Sequence, residues 1–387
     1  MARGDKPYRV YRGGRVKGRV PLQRRADDAP RRDGRRPRPA APAPVVAPTR
    51  RGRRWGRRIA IGLVLLLLVI LVWAVASYIA LGRAVDKANA RLGPVPLDQQ
   101  SGLILNVPTT TLLLGTDHGP GLGREGAQRT DSMLLMRTDP DRGRTSFLSI
   151  PRDLRVDVPG RGSSKINAAY QFGGADLTLR TIRGLLGGGV AIHHVAVVDF
   201  NDFERLIDAL GGVTIDVPES IVSNRFDCPY STRERCQRWP GWRFRAGEQT
   251  MSGRRALIYS RVRENRLNPA ENDLSRGERQ QQLVRAIGAE VTSFGTLVRM
   301  PFLADDIVEP LATDLSAAEL TQLGWVNYRA GRTLRCRLGG TPTSIGGESA
   351  LVPVEENRNV VLMFLGVSAP QPPPPQYGLF GPGCIVR

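Results

Sequence analysis

Residues 193–217 read HHVAVVDFNDFERLIDALGGVTIDV. The opening HHVAVVDF (193–200) is a short apolar run rich in β-branched residues, and it reads as a strand. NDFERLIDALGG (201–212) reads as a capped helix. Asn201 or Asp202 begins it, Phe203, Leu206, Ile207 and Leu210 form one face, and Gly211 ends it. VTIDV (213–217) is a strand again. A strand–helix–strand order predicts an α/β fold, a sheet with helices packed over it.

The flanking sequence extends the pattern. TTTLLLG (109–115), SMLLMRT (132–138) and TSFLSI (145–150) are short apolar strands, and DPDRGR (139–144) is a tight connection between the last two. KINAAYQFGGADLTLRTIRGLLGGG (165–189) predicts a helix over Ala175–Leu186, stopped by Gly187–Gly189. Residues 218–246 read as an irregular insertion. Helices follow at Ser252–Arg261 and Gly277–Phe294. The stretch 301–387 carries one helix signal, Ser316–Asn327, strand signals at 333–338 and 359–365, and a Pro-rich tail, Pro370–Pro375. Whether it is a subdomain or an extension of the sheet is open at this level.

Toward the N-terminus the character changes. Ile59 to Leu81 is 23 uncharged, mostly aliphatic residues. As a helix it is about 34 Å long, enough for a hydrocarbon core of about 30 Å. Arg57 and Arg58 close one end and Arg83 the other, and Tyr78 lies where an interfacial aromatic is expected. A cleaved signal peptide has a shorter apolar core nearer the N-terminus. The expectation is a single-pass anchor, with 82–104 as a stalk and 105–300 as the main domain.

Charge supports an orientation. The chain of 387 residues has a formal charge of +20, but residues 1–58 hold 20 Lys/Arg against 4 Asp, and the other 329 residues only 36 basic against 32 acidic groups. That excludes a uniformly basic, histone-like protein. The Arg- and Pro-rich tail has few aliphatics to bury and reads as disordered. Positive charge stays cytoplasmic, so 82–387 is expected outside. With no aromatic interleaving or DNA-binding fold, no nucleic-acid partner is expected. All four cysteines fall on the outer side, and Cys228–Cys236 with Cys336–Cys384 is the preferred of three pairings. No CxxC occurs and the only histidines are His118, His193 and His194, which disfavours zinc.

Asp and Arg gather where strands end. GTDHG places Asp117 after one strand, RTDSM places Arg129 and Asp131 before the next, and SIPRDLR places Arg152, Asp153 and Arg155 after a third. A later segment, SRVRENRLNPAENDLSRGERQQQ, adds Arg261, Arg263, Asp273, Arg276, Arg279 and Gln280. Guanidiniums match phosphate oxygens, and two strand-end carboxylates suit Mg²⁺. Together they describe a pyrophosphate site. Solvated loop residues are the plainer reading of the same charges. No Ser/His/Asp set or P-loop is present.

From about 109 to 296 the chain resembles the LytR–CpsA–Psr family of cell-wall glycopolymer ligases, through LLLGTD, RTDSMLL, SIPRD, KINAAYQFGG, VDFNDFERLIDALGGVTIDVP, RALIYSRVR and DLSRGERQQQ in family order. The resemblance implies a three-layer α-β-α domain with a mixed central sheet behind a single N-terminal transmembrane helix. It implies Mg²⁺, or Mn²⁺ in its place, on Asp117 and Asp131. Arg129, Arg152, Arg261 and Arg263 would bind pyrophosphate, with Arg276 and Gln280 lining the same site. Asp131, Arg152 and Asp273 would be catalytic, Asp273 as a weaker candidate for general base. Lys165 and Asn167 would support the pocket. The sequence departs from the pattern at His118, where an Arg is usual, and at Asn272 and Ser275, which replace glycines.

The implied reaction transfers a glycopolymer from a polyprenyl-pyrophosphate carrier to a peptidoglycan hydroxyl. The lipid needs an apolar groove, expected between the sheet and helices such as 175–186 and 203–210. The alternatives are a polyprenyl-pyrophosphate hydrolase and a non-catalytic envelope binding or regulatory protein.

Overall fold

The computed structural model describes residues 51–117, 129–269, 273–345, 347–376 and 381–386, and side chains at all of these except 51–54, 273–275 and 345. The chain divides into two units at Ala60. Of the first, only the opening of helix α1 (Arg51–Ala90) is described. All that follows concerns the second.

A seven-stranded sheet is the frame. After α1 come β1 (Thr109–Thr116), β2 (Thr130–Asp139), β3 (Arg144–Ser149), a small hairpin β4 (Arg155–Val158) and β5 (Gly162–Lys165), and α2 (Ala168–Leu186). Then follow β6 (His194–Asp199), α3 (Phe200–Leu210), β7 (Val213–Val217), β8 (Ile221–Val222), α4 (Arg233–Arg238), β9 (Arg243–Phe244), β10 (Gly247–Met251) and α5 (Gly253–Arg261). The rest is α6 (Asp273–Val291), α7 (Phe294–Val308), β11 (Ala312–Thr313), α8 (Ala317–Arg329), β12 (Arg332–Arg337), β13 (Gly340–Ile345), β14 (Glu348–Pro353), α9 (Asn357–Leu365) and β15 (Gly383–Val386). The sheet order is β11-β6-β1-β2-β3-β12-β15. It is mixed: β1 runs parallel to β6 and β3 parallel to β12, and the other neighbours are antiparallel.

Alternation of side chains gives the sheet two faces. Leu112, Leu114, Met133, Leu135, Val195 and Val197 pack with Leu179 and Ile182 of α2 and Val360 and Phe364 of α9. On the other face, Leu134, Met136 and Phe147 meet Val284 of α6 and Leu323 of α8. A further core joins α3, α5, α6, α7 and β7. Helices thus cover both faces, the three-layer arrangement expected.

Several local expectations change. Helix α3 is capped by Asp199, whose side chain accepts from Asp202 N at 2.8 Å, and not by Asn201 or Asp202. Strand β7 pairs with β10 in a separate ribbon, so VTIDV is not part of the main sheet. The predicted helix 277–294 is two helices divided at Ser293, which caps α7 by accepting from Thr296 N at 3.2 Å. The segment 359–365, read as a strand, is helix α9. Its apolar residues Val360, Val361, Met363 and Phe364 are buried, and Gly366 ends it in the left-handed conformation. A short apolar run fits a buried helix as well as a strand.

Residues beyond 301 supply β11, β12 and β15 to the main sheet, at both of its edges. Cys336 and Cys384 face one another across β12 and β15 and are disulfide-bonded, as are Cys228 and Cys236. The segment 82–104 does not stand off as a stalk. Helix α1 continues to Ala90, with Ala84, Val85 and Ala88 buried in the α3–α7 core and Arg91 paired to Asp202 at 2.5 Å.

Candidate active site

The site begins at an irregularity in the β1–β2 ladder. Gly115 opposes Ser132 and Thr116 opposes Thr130, which leaves Asp131 as the extra residue of a bulge. A bulge bends its strand and re-aims a side chain. Asp131 thereby enters a cavity and pairs with Arg152 from the turn after β3. One step out, Asp117 and Arg129 continue the ladder. Asp117 Oδ1 accepts from Arg129 N at 2.8 Å, and Asp117 N donates to Arg129 O at 3.1 Å. The Arg129 side chain turns toward α2, its Nε donating to Gln171 Oε1 at 3.1 Å.

The KINAAY string supports this corner. Asn167 N donates to Arg152 O at 3.2 Å, and Lys165 Nζ lies 3.8 Å from Asp153 and 3.2 Å from Glu348. Both residues hold the Arg152–Asp153 turn, and neither lines the cavity.

From the far end of the chain, α5 and α6 bring Arg261, Arg263, Arg276 and Gln280 to the same cavity as Asp131. Gln280 Oε1 accepts from Ser132 Oγ at 2.9 Å, which ties α6 to β2 next to the bulge. Helix α6 can come so close because residue 277 is glycine: a Cβ there would stand 2.4 Å from Ser149 Oγ and 3.1 Å from Ser149 Cβ. Arg261 pairs with Asp227, and its guanidinium lies 4.6 Å from the centre of the Phe200 ring and 5.7 Å from that of Phe226. Burial pushes the carboxyl of Glu204, in α3, above its ordinary 4.5. Arg254 and Arg261 oppose this, while Asp208 and Asp227 add to it. Arg279 belongs elsewhere, donating from Nη2 to Val262 O at 3.1 Å across the α5–α6 connection.

The cavity has a volume of about 470 Å³ and changes character along its length. Along α6 its lining passes from Arg276 and Gln280 to Val284 and Ile287. Along β2 it passes from Asp131 and Ser132 to Leu134. Leu113, Ala196 and Val198 form the sheet side, and Phe203 and Leu206 of α3 lie opposite. The expected groove is therefore built with helix 203–210 but not with 175–186. Leu179, Ile182 and Leu186 of α2 are core on the other face of the sheet. One pocket thus offers guanidiniums and carboxylates for a charged head and an apolar wall for a hydrocarbon chain, within the size range of ligand sites.

A hard divalent cation would be held by Asp117 and Asp131. Among the described residues no group of three or more His, Cys, Asp or Glu side chains could hold a metal. Mg²⁺ does not need one, since it is commonly held by one or two carboxylates with water and substrate phosphate. Two strand-end carboxylates, each next in sequence to a member of the Thr116–Thr130 pair, fit that requirement.

Of the residues expected at the site, Asp131, Arg261, Arg263, Arg276 and Gln280 line the cavity, Arg152 touches Asp131, and Asp117 and Arg129 adjoin it. Asp273 opens α6, but its side chain, like His118, Asn272 and the side chain of Ser275, lies outside the described residues. The reading missed Ser132, Asp199, Asn224 and Asp227, which also line it. Asp227, inside the irregular insertion, has a φ of 47°, rare for a non-glycine residue, but nothing in the local sequence pairs it with Arg261.

A family model described as the LytR_cpsA_psr family matches residues 80–331. The polyisoprenyl-teichoic acid–peptidoglycan teichoic acid transferase TagU of Oceanobacillus iheyensis is 32% identical over 228 residues, 57% of this chain. The match spans 63% of TagU, under two thirds of its length. The regulatory protein MsrR of Staphylococcus aureus is 30% identical over 258 residues, 66% of this chain and 70% of MsrR. A solved structure of TagT bound to LIIa-WTA is similar in fold, with a TM-score of 0.53 and 24% identity, covering 72% of this chain and 98% of that one.

Proposed function

The chain belongs to the LytR_cpsA_psr family, and from that membership we propose that it is a membrane-anchored transferase joining a wall glycopolymer to peptidoglycan. The observation that carries this is the single cavity in which Asp131, Arg261, Arg263, Arg276 and Gln280 meet an apolar wall. The names of TagU, a teichoic acid transferase acting on peptidoglycan, and of TagT bound to LIIa-WTA support the reaction class. Among the described residues one helix is long and apolar enough to cross a membrane, and its residues from Ile61 to Val72 are exposed, unlike those of a buried core helix. The Arg-rich tail puts the N-terminus in the cytoplasm, and the two disulfides suit an oxidising exterior.

The donor is a polyprenyl-pyrophosphate-linked glycopolymer. Its lipid lies against Leu134, Ala196, Val198 and Val284, and its diphosphate against Arg261, Arg263 and Arg276, with Arg129 and Arg152 beside them. A peptidoglycan hydroxyl oxygen attacks the polymer-side phosphorus. The bond from that phosphorus to the bridging oxygen breaks, polyprenyl phosphate leaves with the electron pair, and the polymer stays joined by a phosphodiester. The hydroxyl proton passes to a carboxylate, with Asp131 in the cavity as first candidate and Asp273 as second. Guanidiniums already in place stabilise the charge that develops on the leaving oxygen. Mg²⁺ held by Asp117 and Asp131 would neutralise phosphate charge.

The test uses purified full-length chain with labelled lipid-linked polymer and peptidoglycan. The expected result is release of polyprenyl phosphate matched by label on peptidoglycan, lost on chelation of divalent cations and in Arg263→Ala. Release without transfer would instead identify a hydrolase. MsrR carries a regulatory name, and a regulatory role predicts no release and unchanged cellular function in Arg263→Ala.

A further inference from the structure

The apolar span and the outer domain overlap along α1. On one stripe of α1, Trp73, Ser77, Ala80, Ala84 and Ala88 are wholly or partly buried. Ala80, Ala84 and Ala88 share an apolar core with Leu303, Ala304, Ile307 and Val308 of α7. Trp73 Nε1 donates to Val298 O at 3.0 Å, while Lys87 lies 3.2 Å from Asp305 and 3.5 Å from Glu309. Helices α1 and α7 therefore run side by side in the same direction. The start of α7 is level with Trp73 and its end is level with Lys87.

Bilayer thickness then fixes where α7 begins. A hydrocarbon core of about 30 Å takes about 20 helical residues. Ile59 to Val72 supplies 14 residues, about 21 Å. The core must reach past Trp73, to the neighbourhood of Tyr78, so the first turns of α7 lie below its outer boundary. Their surface matches that depth. Phe294 and Phe302 are each 83% exposed, and Leu297 and Val298 are 42% and 49% exposed. The exposed acidic pair Asp305 and Asp306 comes only after this stretch, at the level of Lys87. Phe294, Leu297, Val298 and Phe302 fall at i, i+3, i+4 and i+8 on one stripe, and the exposed Arg299 beside it can extend its guanidinium to the headgroups. An apolar stripe of this kind marks an interaction site, and apolar side chains set into the headgroup–acyl boundary are how interfacial helices bind.

We propose that Phe294–Phe302, the first nine residues of α7, insert into the outer leaflet of the same bilayer that holds α1, with Phe294, Leu297, Val298 and Phe302 in contact with lipid. This rests on reading α1 as the membrane anchor. It seats the domain on the membrane at a fixed height, where a flexible stalk would let it wander.

All four cysteines are in disulfides, so an added cysteine is the only thiol. Full-length Phe294→Cys, Phe302→Cys and Leu66→Cys are spin-labelled in vesicles of phosphatidylcholine with a minority of phosphatidylglycerol. Collision rates with oxygen, which concentrates in lipid, and with a water-soluble nickel chelate are then compared. The two phenylalanines are so exposed that replacing them leaves packing intact. The expected result is oxygen collisions exceeding nickel collisions at all three sites. Lipid-type values at Leu66 with water-type values at both α7 sites would overturn the proposal while leaving the anchor standing. Water-type values at Leu66 would remove the anchor, and the proposal with it.

Discussion

Replacing Ala196 by phenylalanine puts a ring into the apolar part of the cavity. Ala196 lies on β6 beside Val198 and faces the space bounded by Leu113, Leu206 and Val284. The ring has room without displacing core, so thermal stability should change by less than about 1.5 kcal/mol. A donor lipid loses the volume that the ring takes, roughly one five-carbon unit. At about 0.8 kcal/mol per buried carbon this is about 4 kcal/mol, on the order of 10³-fold in kcat/KM. The assay measures transfer of labelled polymer from the long polyprenyl donor and from a donor with its lipid cut to a few carbons. The long donor should lose most of its rate, and the short one, which never reached Ala196, should lose little. Equal losses with both donors, or none with either, would refute the assignment of this wall to the lipid.

Three further outcomes follow from particular contacts. Gly277→Ala sets a Cβ against Ser149; the overpacking should cost about 1–3 kcal/mol and, because α6 carries Arg276 and Gln280, lower transfer as well, with Ser149→Gly restoring both in denaturation and activity assays. Removing the Cys336–Cys384 bridge as the double alanine variant opens a loop of 48 residues, which should cost about 4 kcal/mol and lower Tm by on the order of 10 °C. His193 is held below its ordinary 6.5 first by burial, then by His194 and Arg137, and its Nδ1 accepts from Thr110 N at 3.0 Å. The unfolded chain therefore takes up a proton that the folded chain refuses, so stability falls as pH drops below about 6.5, and His193→Asn should flatten that part of the Tm–pH curve.

The parts of the molecule legible in sequence are those fixed by near neighbours. The strands at 109–115, 132–138 and 145–150 and helix α3 follow from apolar spacing and turn residues. The arginines and aspartates of the site stand in short strings whose order identifies the family. Position 359–365 failed because an apolar run of that length carries no period that separates a buried strand from a buried helix. Helix α7 failed because Pro301 lies inside it and proline usually signals a break. Asp199 falls inside the strand expected at 193–200, although its side chain caps the next helix.

By itself the sequence determined an α/β domain behind an apolar helix and the strings of Arg and Asp that identify the family, since each of these rests on local pattern or composition. Counting cysteines left three pairings, and the fold chose between them. Only the tertiary structure decided which apolar face is core and which is cavity wall, that Asp227 pairs with Arg261, and that the start of α7 lies level with Trp73 of α1. Those are facts about separation in space between residues 34 and 225 positions apart in the chain, and no short-range pattern encodes them.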